Sequence, residues 1–405
     1  MTLLGLPFLL LLVGVLTASV AAMLVGWDRW PSRIAWPVRV VCLLLVMVLP
    51  IAVTADVVNR YYGFYSSWTD LTGGPADVRL TAAAELRHQR VPAADLASGE
   101  AAAAHGHGIM IPWAMPGPRS GLNRSGYVYL PAAYFDRARP TERFPVIELL
   151  HGYSGSPHNW IHALPIGPKL DAEIAAGRIP PVIAVAPKEY DHNDGECVDA
   201  VDGEKNETYL ARDVVSDVAA AFRTATAPGS WATLGFSTGG FCAVNMALHD
   251  PGTYRAAVSL SGYFTALTDD TTGDLYHGHA AVRRYNSPQW FVANRPVRPA
   301  LYVFASGGDR PAYRAVGPFR RAVPAGTDLT VVTVPTGAHN TTVWNAALPP
   351  ALDWLGHRLP APTTTPLIQR DQRAAPTPAT PPPASTPLPA PTRITANVEL
   401  RPARP

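Results

Sequence analysis

The chain has 405 residues, and about a hundred of them are unsuited to a soluble core, so one domain of roughly 250 to 300 residues with appendages is expected. The formal net charge is only +2, and no block of lysines and arginines stands out along the chain. The composition therefore suggests neither a nucleic-acid-binding surface nor an acidic partner.

Two apolar stretches open the chain. Residues 3–25 carry no charge, residues 37–55 carry only Arg39, and each stretch is long enough to cross a hydrocarbon layer of about 30 Å. We predict a transmembrane hairpin over residues 1–56. Arg29 and Arg33 between the stretches and Arg39 at the start of the second stretch place the linker in the cytoplasm by the positive-inside rule, so the main domain is expected outside the cell membrane. A cleaved signal peptide and a buried hairpin of a soluble protein are the alternatives.

Three further segments follow the hairpin. Residues 57–107 are a connector for which the sequence predicts no structure, and residues 360–405 are a Pro-, Thr- and Ala-rich tail expected to be disordered. Between them, residues 108–359 form the main domain. Short apolar runs in this domain predict buried parallel strands at 146–150, 182–186, 233–236, 256–260, 301–305 and 329–334. With an amphipathic helix at 207–222, this pattern predicts an α/β fold with a central, mostly parallel sheet.

A G-x-S-x-G motif occupies residues 235–239 and centres on Ser237. It follows an apolar run and precedes a helical one. This strand, turn and helix context is the one that a nucleophile elbow requires, since the flanking glycines relieve crowding in the strained turn. Ser237 is therefore the candidate nucleophile.

A serine hydroxyl needs a base and an orienting acid, which follow it along the chain in α/β-hydrolases. His339 comes directly after the last predicted strand and is the candidate base; the alternative is that it only caps the next helix. Asp309 comes directly after the preceding predicted strand and is the candidate acid. Three rival carboxylates lie in an insertion with no strand just before it: Asp269, Asp270 and Asp274.

An oxyanion hole needs two backbone N–H groups. The amide of Thr238, next to the nucleophile, is the first candidate. The second comes from the H-G-x-x-G turn at 151–155, where we favour the amide of Tyr153 and then that of Ser154; a simple glycine turn is the alternative. Trp160 lies just beyond this turn and is expected to line the substrate pocket, although surface packing explains it equally well.

Cysteines and histidines allow two further predictions. Cys197 and Cys242 both lie in the predicted external domain, where a disulfide between them is expected, with free buried thiols as the alternative. Two H-x-H pairs resemble metal ligands but lack a third partner at fixed spacing: His105 with His107, and His277 with His279. We expect no metal and no cofactor.

Four segments carry a family resemblance: YVYLP at 127–131, ELLHGYSG at 148–155, the stretch from GFSTGG to SLSGYF at 235–264, and GAHNTTVWNAALPPALDWL at 337–355. Together they resemble the Putative esterase family, which includes esterase D-like enzymes and the mycolyltransferases of actinobacterial walls. Membrane-anchored actinobacterial members are the most similar. The resemblance implies an α/β-hydrolase fold and a Ser-acid-His triad, carried here by Ser237, Asp309 and His339. Mycolyltransferases typically use glutamate at the acid position.

These observations predict an extracytoplasmic serine esterase that cleaves carboxylic esters through an acyl-enzyme. The expected partner is a small-molecule or lipid ester, with the chain held in the membrane by its N-terminal helices and no nucleic acid involved. An acyltransferase that moves acyl groups onto envelope sugars or lipids is the second enzyme hypothesis. A catalytically inactive module that binds wall components is the alternative from another class.

Overall fold

The computed structural model describes residues 6–62 and 91–364. The helices are α1 (Leu6–Gly26), α2 (Ser32–Tyr62), α3 (Ala93–Ala103), α4 (Ile166–Ala175), α5 (Asn206–Thr208), α6 (Val215–Ala221), α7 (Thr238–His249), α8 (Ala280–Tyr285), α9 (Pro288–Asn294), α10 (Arg310–Ala322) and α11 (Thr341–Gly356). A π-helical segment, Tyr209–Val214, joins α5 to α6, and a second one spans Asn159–Ala163. Residues Ala132–Phe135 form a 3-10 turn.

Ten strands complete the description: β1 (Ile109–Pro116), β2 (Asn123–Leu130), β3 (Glu142–Arg143), β4 (Val146–Leu150), β5 (Ile183–Pro187), β6 (Trp231–Phe236), β7 (Tyr254–Leu260), β8 (Ala300–Ser306), β9 (Leu329–Val334) and β10 (Thr363–Thr364).

Eight strands form one sheet in the order β1-β2-β5-β4-β6-β7-β8-β9. The pairs β1–β2 and β2–β5 are antiparallel, and all the pairs from β5 to β9 are parallel. Every residue of β4, β5, β6 and β8 is buried, as a sheet covered by helices on both faces requires. The predicted α/β-hydrolase class, with a mostly parallel central sheet, is confirmed.

Two apolar layers cover the faces of the sheet. Residues of α7, α9 and α10 belong to one buried cluster, and residues of α4 and α11 belong to the other. Since all the strands from β5 to β9 run in the same direction, the loops that follow them emerge along one edge. The candidate active site lies at this edge of the sheet.

The two N-terminal helices are long and apolar enough to cross a membrane, over Leu6–Gly26 and Ile34–Asn59. Arg39 lies in the first turns of the second span. Its guanidinium donates to the carbonyl of Trp27 and stacks over the indole ring of that residue, 4.5 Å from the centroid. The charge thus reaches the turn between the helices, as expected for an arginine near the end of a span.

The observed elements extend slightly beyond two of the expected segment boundaries. Helix α2 continues to Tyr62, past residue 56, and strand β10 pairs with β3 at residues 363–364, past residue 359. Helix α3 lies within the expected connector. Residues 63–90 of that connector and residues 365–405 of the expected tail lie outside the described residues, so the division into four segments stays a prediction.

Candidate active site

Ser237 occupies the turn between β6 and α7, with φ of 57° and ψ of −126°. A positive φ is strained for a residue with a Cβ atom and is typical of a side chain held in place by its surroundings. Gly239 makes this turn feasible, because a Cβ atom there would lie 2.2 Å from the carbonyl oxygen of Leu150. The start of α7 therefore packs directly on the end of β4.

A chain of hydrogen bonds joins three side chains at the sheet edge. The Oγ atom of Ser237 lies 2.8 Å from Nε2 of His339, and Nδ1 of His339 lies 2.6 Å from Oδ2 of Asp309. The loops after β8 and β9 can approach each other because residue 308 is glycine: a Cβ atom at Gly308 would lie 2.3 Å from the carbonyl oxygen of Gly337. This close contact sets Asp309 beside His339.

The environments of the acid and the base differ. The side chain of Asp309 is 2% exposed, whereas that of His339 is 42% exposed. Burial by itself raises the pKa of Asp309, but the hydrogen bond and charge interaction with His339, together with interactions with Ser261 and the Ala312 amide, outweigh it and hold the pKa below its ordinary value. The carboxylate stays ionised and fixes the imidazole with its Nε2 atom toward the serine. Such an arrangement can remove the hydroxyl proton and stabilise the imidazolium that results.

His339 does not cap α11, and the three rival carboxylates lie in other surroundings. Asn340, rather than His339, caps α11, since its side chain accepts a hydrogen bond from the amide of Val343. Among the rival carboxylates, Asp269 accepts from the amides of Thr271 and Thr272 in its own loop. Asp270 and Asp274 line a cavity of about 490 Å³ that is formed by residues 268–283, a set that contains none of the three hydrogen-bonded side chains.

Two backbone segments meet at the serine. Thr238 is the first residue of α7, so its N–H group is one of those that an α-helix leaves without an intrahelical partner. The turn after β4 lies against the nucleophile, because a Cβ atom at Gly152 would be 2.9 Å from Cβ of Ser237. The half-buried Tyr153 follows this glycine. Both predicted oxyanion-hole residues therefore lie on segments that contact Ser237.

A loop after β5, residues 188–205, forms hydrogen bonds with both of these segments. The sequence did not predict these hydrogen bonds. The carboxylate of Glu189 accepts a hydrogen bond from the amide of His151. The Tyr190 hydroxyl lies 2.8 Å from the carbonyl oxygen of Gly152. Further along, Oδ2 of Asp194 accepts a hydrogen bond of 2.7 Å from the Thr238 hydroxyl. The only sequence signal for this loop was its cysteine.

Cys197 and Cys242 form a disulfide, which bonds this loop covalently to α7. Trp160 is 0% exposed and packs edge-on against Phe236 with ring centroids 5.3 Å apart, so its indole fills the core beneath the elbow strand. A role for Trp160 in lining a substrate pocket stays a prediction.

The histidine pairs do not assemble into a common cluster. His107 lies 3.4 Å from Asp171, and His277 lies 3.3 Å from Asp202. Within the described residues, one group of possible metal ligands lies close together, namely Glu189, Cys197 and Cys242, but the two sulfurs are bonded to each other and are not thiolates. The absence of a metal from the reaction stays a prediction.

Comparison with known proteins extends these observations. The family model described as Putative esterase matches residues 118–297. An uncharacterised protein of Corynebacterium glutamicum is 27% identical over 249 residues, which cover 58% of this chain and 57% of the relative. The match thus spans less than two thirds of that relative.

Several solved structures have folds similar to that of the main domain. A ferulic acid esterase gives a TM-score of 0.54 at 19% identity, over 62% of this chain and 98% of its own. An S-formylglutathione hydrolase from Agrobacterium tumefaciens also gives 0.54, at 15% identity, over 63% and 96%. A fluorophosphonate-binding serine hydrolase of Staphylococcus aureus gives 0.52 at 19% identity, over 62% and 98%.

The elbow, the sheet order and the family match agree with one another. The main domain of this chain is similar to the Putative esterase family over residues 118–297, and its fold is one that a solved serine hydrolase also has.

Proposed function

We propose that this protein is an extracytoplasmic esterase that hydrolyses carboxylic esters through an acyl-enzyme on Ser237. His339 accepts the serine proton as Oγ attacks the ester carbonyl, and it returns this proton to the departing alcohol. Asp309 orients the imidazole and stabilises its charged form. Water then attacks the acyl-enzyme while His339 takes one of its protons; the imidazolium gives this proton to Oγ of Ser237 as the ester bond breaks and the carboxylic acid leaves.

One observation carries the proposal, namely the hydrogen-bonded series from Ser237 through His339 to Asp309, with distances of 2.8 Å and 2.6 Å. A hydroxyl in an elbow turn with this partner is an activated nucleophile. The developing oxyanion is stabilised by the amides of Thr238 and Tyr153, which come from the two segments that meet at Ser237. No cofactor takes part in these steps.

Exposure of the base favours water as the acyl acceptor. Transfer to an alcohol requires that water be kept away from the acyl-enzyme. The side chain of His339 is 42% exposed, so water reaches the base directly. Transfer to an envelope sugar or lipid is therefore the second candidate, and it would need a bound acceptor to cover the imidazole.

The proposed location rests on two features. The apolar helices α1 and α2 are suited to anchor the chain in a membrane, with the arginines between them on the cytoplasmic side. The disulfide between Cys197 and Cys242 is typical of an oxidising compartment. Both features support the proposal that residues 108–359 lie outside the cell membrane.

Hydrolysis of short and medium p-nitrophenyl esters by the full chain in detergent tests the activity. Ser237→Ala and His339→Ala should each lower kcat by up to ~10⁶, because neither the nucleophile nor its base has a substitute. Asp309→Asn should lower it by about 10⁴, because the imidazole loses its orienting carboxylate.

Matched controls are Ser98→Ala, on the exposed face of α3, and His357→Ala, just after α11; both should keep wild-type turnover. A charged fluorophosphonate that cannot cross membranes should label Ser237 in intact spheroplasts. Absence of both turnover and labelling in the purified wild type would contradict the esterase and favour a binding module. Labelling only after lysis would contradict the location alone.

A further inference from the structure

Charge is distributed very unevenly along this chain. Residues 280–327 contain eight arginines, no lysine and a single acidic residue, Asp309, which gives this segment a net charge of +7. The whole chain has a net charge of only +2, so the remaining residues together carry −5. The arginines are too widely spaced to form a run in the sequence, but most of them lie on or beside α8, α9 and α10, and these helices contact one another in series in the fold.

Seven of these arginines are exposed, and we call them the arginine face: Arg284, Arg295, Arg298, Arg310, Arg314, Arg320 and Arg321. None of them forms an ion pair with any carboxylate in residues 6–62 or 91–364. The eighth, Arg283, donates to the carbonyl of Ala266. Elsewhere arginines do pair with carboxylates, including Arg124, Arg137, Arg139, Arg178, Arg212 and Arg358.

Helix α10 shows how the face is built. Its buried positions are Ala312, Val316 and Phe319, so the arginines between them point to solvent. Arg314, Arg320 and Arg321 line a groove of about 750 Å³ between this helix and β9, the last strand of the sheet. The groove has no carboxylate among its lining residues, and its walls include the apolar side chains Val316, Leu329 and Val331.

Exposed aromatic side chains accompany the arginines. Beyond the N-terminal residues 6–62, the exposed large apolar side chains among the described residues are Leu96, Tyr285 and Tyr313. Both tyrosines lie in the arginine-rich segment, and Tyr313 lines the groove. Tyrosine combined with arginine is typical of protein surfaces at a membrane interface, where the ring enters the headgroup layer and the guanidinium binds phosphate.

We propose that the arginine face binds the anionic phospholipid headgroups of the membrane that holds α1 and α2. This inference rests on the proposed membrane anchoring and is independent of the esterase reaction. Tethering keeps the domain close to the lipid, so individually weak contacts suffice. The remaining surface, with its net negative charge, is repelled by the same headgroups. Because Arg310 directly follows Asp309, the arginine face extends to the neighbourhood of the proposed triad. Binding to the headgroups therefore turns this part of the domain toward the bilayer.

Hydrogen exchange of the full chain in lipid nanodiscs tests the inference. Discs of pure phosphatidylcholine are compared with discs of equimolar phosphatidylcholine and phosphatidylglycerol. Peptides covering residues 310–333 should exchange several-fold more slowly with the anionic lipid, and this slowing should disappear at about 0.5 M salt, where charge interactions are screened. The triple variant Arg314→Gln/Arg320→Gln/Arg321→Gln should lose the slowing and keep its turnover of a water-soluble ester.

The charge-matched control is Arg137→Gln/Arg212→Gln/Arg358→Gln, which removes three arginines that form ion pairs outside the arginine face. It should keep the slowing. Equal exchange in the two lipids, or equal loss in both triple variants, overturns the inference. So does slowing by soluble polyphosphate without slowing by phosphatidylglycerol. A chain that elutes apart from the discs contradicts the anchoring and overturns the inference with it, while ester turnover of the same samples reports on the reaction separately.

Discussion

The hydroxyl of Thr238 gives this residue a positioning role beyond its amide. It donates to Asp194, a largely buried carboxyl whose pKa is raised by burial and partly lowered again by the Glu196 amide and by Thr238 itself. Thr238→Val keeps the shape and the amide but removes this bond. We expect kcat to fall about tenfold or more with little change in KM, because an oxyanion donor acts mainly in the transition state. Steady-state kinetics on a p-nitrophenyl ester measure both constants.

Thr238→Ser retains the hydroxyl and should restore most of kcat. The control is Thr233→Val on β6, which also removes a buried hydroxyl bond, to the carbonyl of Ala243, and should lower stability without lowering kcat. Wild-type kcat in Thr238→Val would show that the bond to Asp194 has no part in positioning the amide.

At the scale of elements, the disulfide joins the loop of residues 188–205 to α7. The two cysteines are 45 residues apart in sequence, and closing a loop of this length in the unfolded chain is worth about 4 kcal/mol by the chain-entropy estimate. Cys197→Ala/Cys242→Ala should therefore lower the free energy of unfolding by about 2 to 4 kcal/mol. Denaturant unfolding of the full chain under oxidising conditions measures this change.

Cys42→Ala is the control, because Cys42 is a free cysteine in α2 and its loss should leave the unfolding of the main domain unchanged. Reductant should bring the wild type down to the level of the double variant and leave the double variant itself unaffected. An unchanged wild type after complete reduction would contradict this account.

The parallel strands were predictable because burial on both faces requires continuous apolar runs, and such runs occur at β4 and β8 with little ambiguity. Strands β1 and β2 were not predicted. They pair antiparallel and are only partly buried, and Pro112 and Gly126 interrupt their patterns. Apolar runs thus marked the strands that are covered on both faces, and the run at 329–334 marked β9 although this edge strand is only partly buried.

The proposed triad could also be predicted from the sequence, again because of the apolar runs. Ser237, Asp309 and His339 each follow such a run, so their chain order and the shared sheet edge predicted that they would meet. The roles of Tyr190 and Asp194 could not be predicted from the sequence, because an acidic loop usually indicates a solvated segment. Here their polar groups are buried because they form hydrogen bonds with the turn after β4 and with the start of α7.

At the scale of the whole molecule, a buried carboxyl should make stability depend on pH. Glu148 lies in the middle of β4 and is 0% exposed; Tyr254 donates to its Oε2 atom, and Oε1 has no hydrogen-bond partner among the described residues. Burial raises the pKa of Glu148 to about 8, although the hydrogen bond from Tyr254 lowers it in part. The folded protein therefore keeps a proton that the unfolded chain releases above its ordinary carboxyl pKa.

Between the ordinary carboxyl pKa and about pH 8, the unfolded state binds fewer protons than the folded state. The free energy of unfolding therefore falls as the pH rises, by up to about 1.4 kcal/mol per pH unit from Glu148. Glu148→Gln cannot ionise. Its unfolding midpoint relative to wild type should rise steadily between about pH 5 and about pH 8, as measured by thermal unfolding in a series of buffers. Glu100→Gln, at an exposed glutamate paired with Arg137, should show no such rise over the same range. A constant difference between Glu148→Gln and wild type would mean that Glu148 is already ionised in the fold.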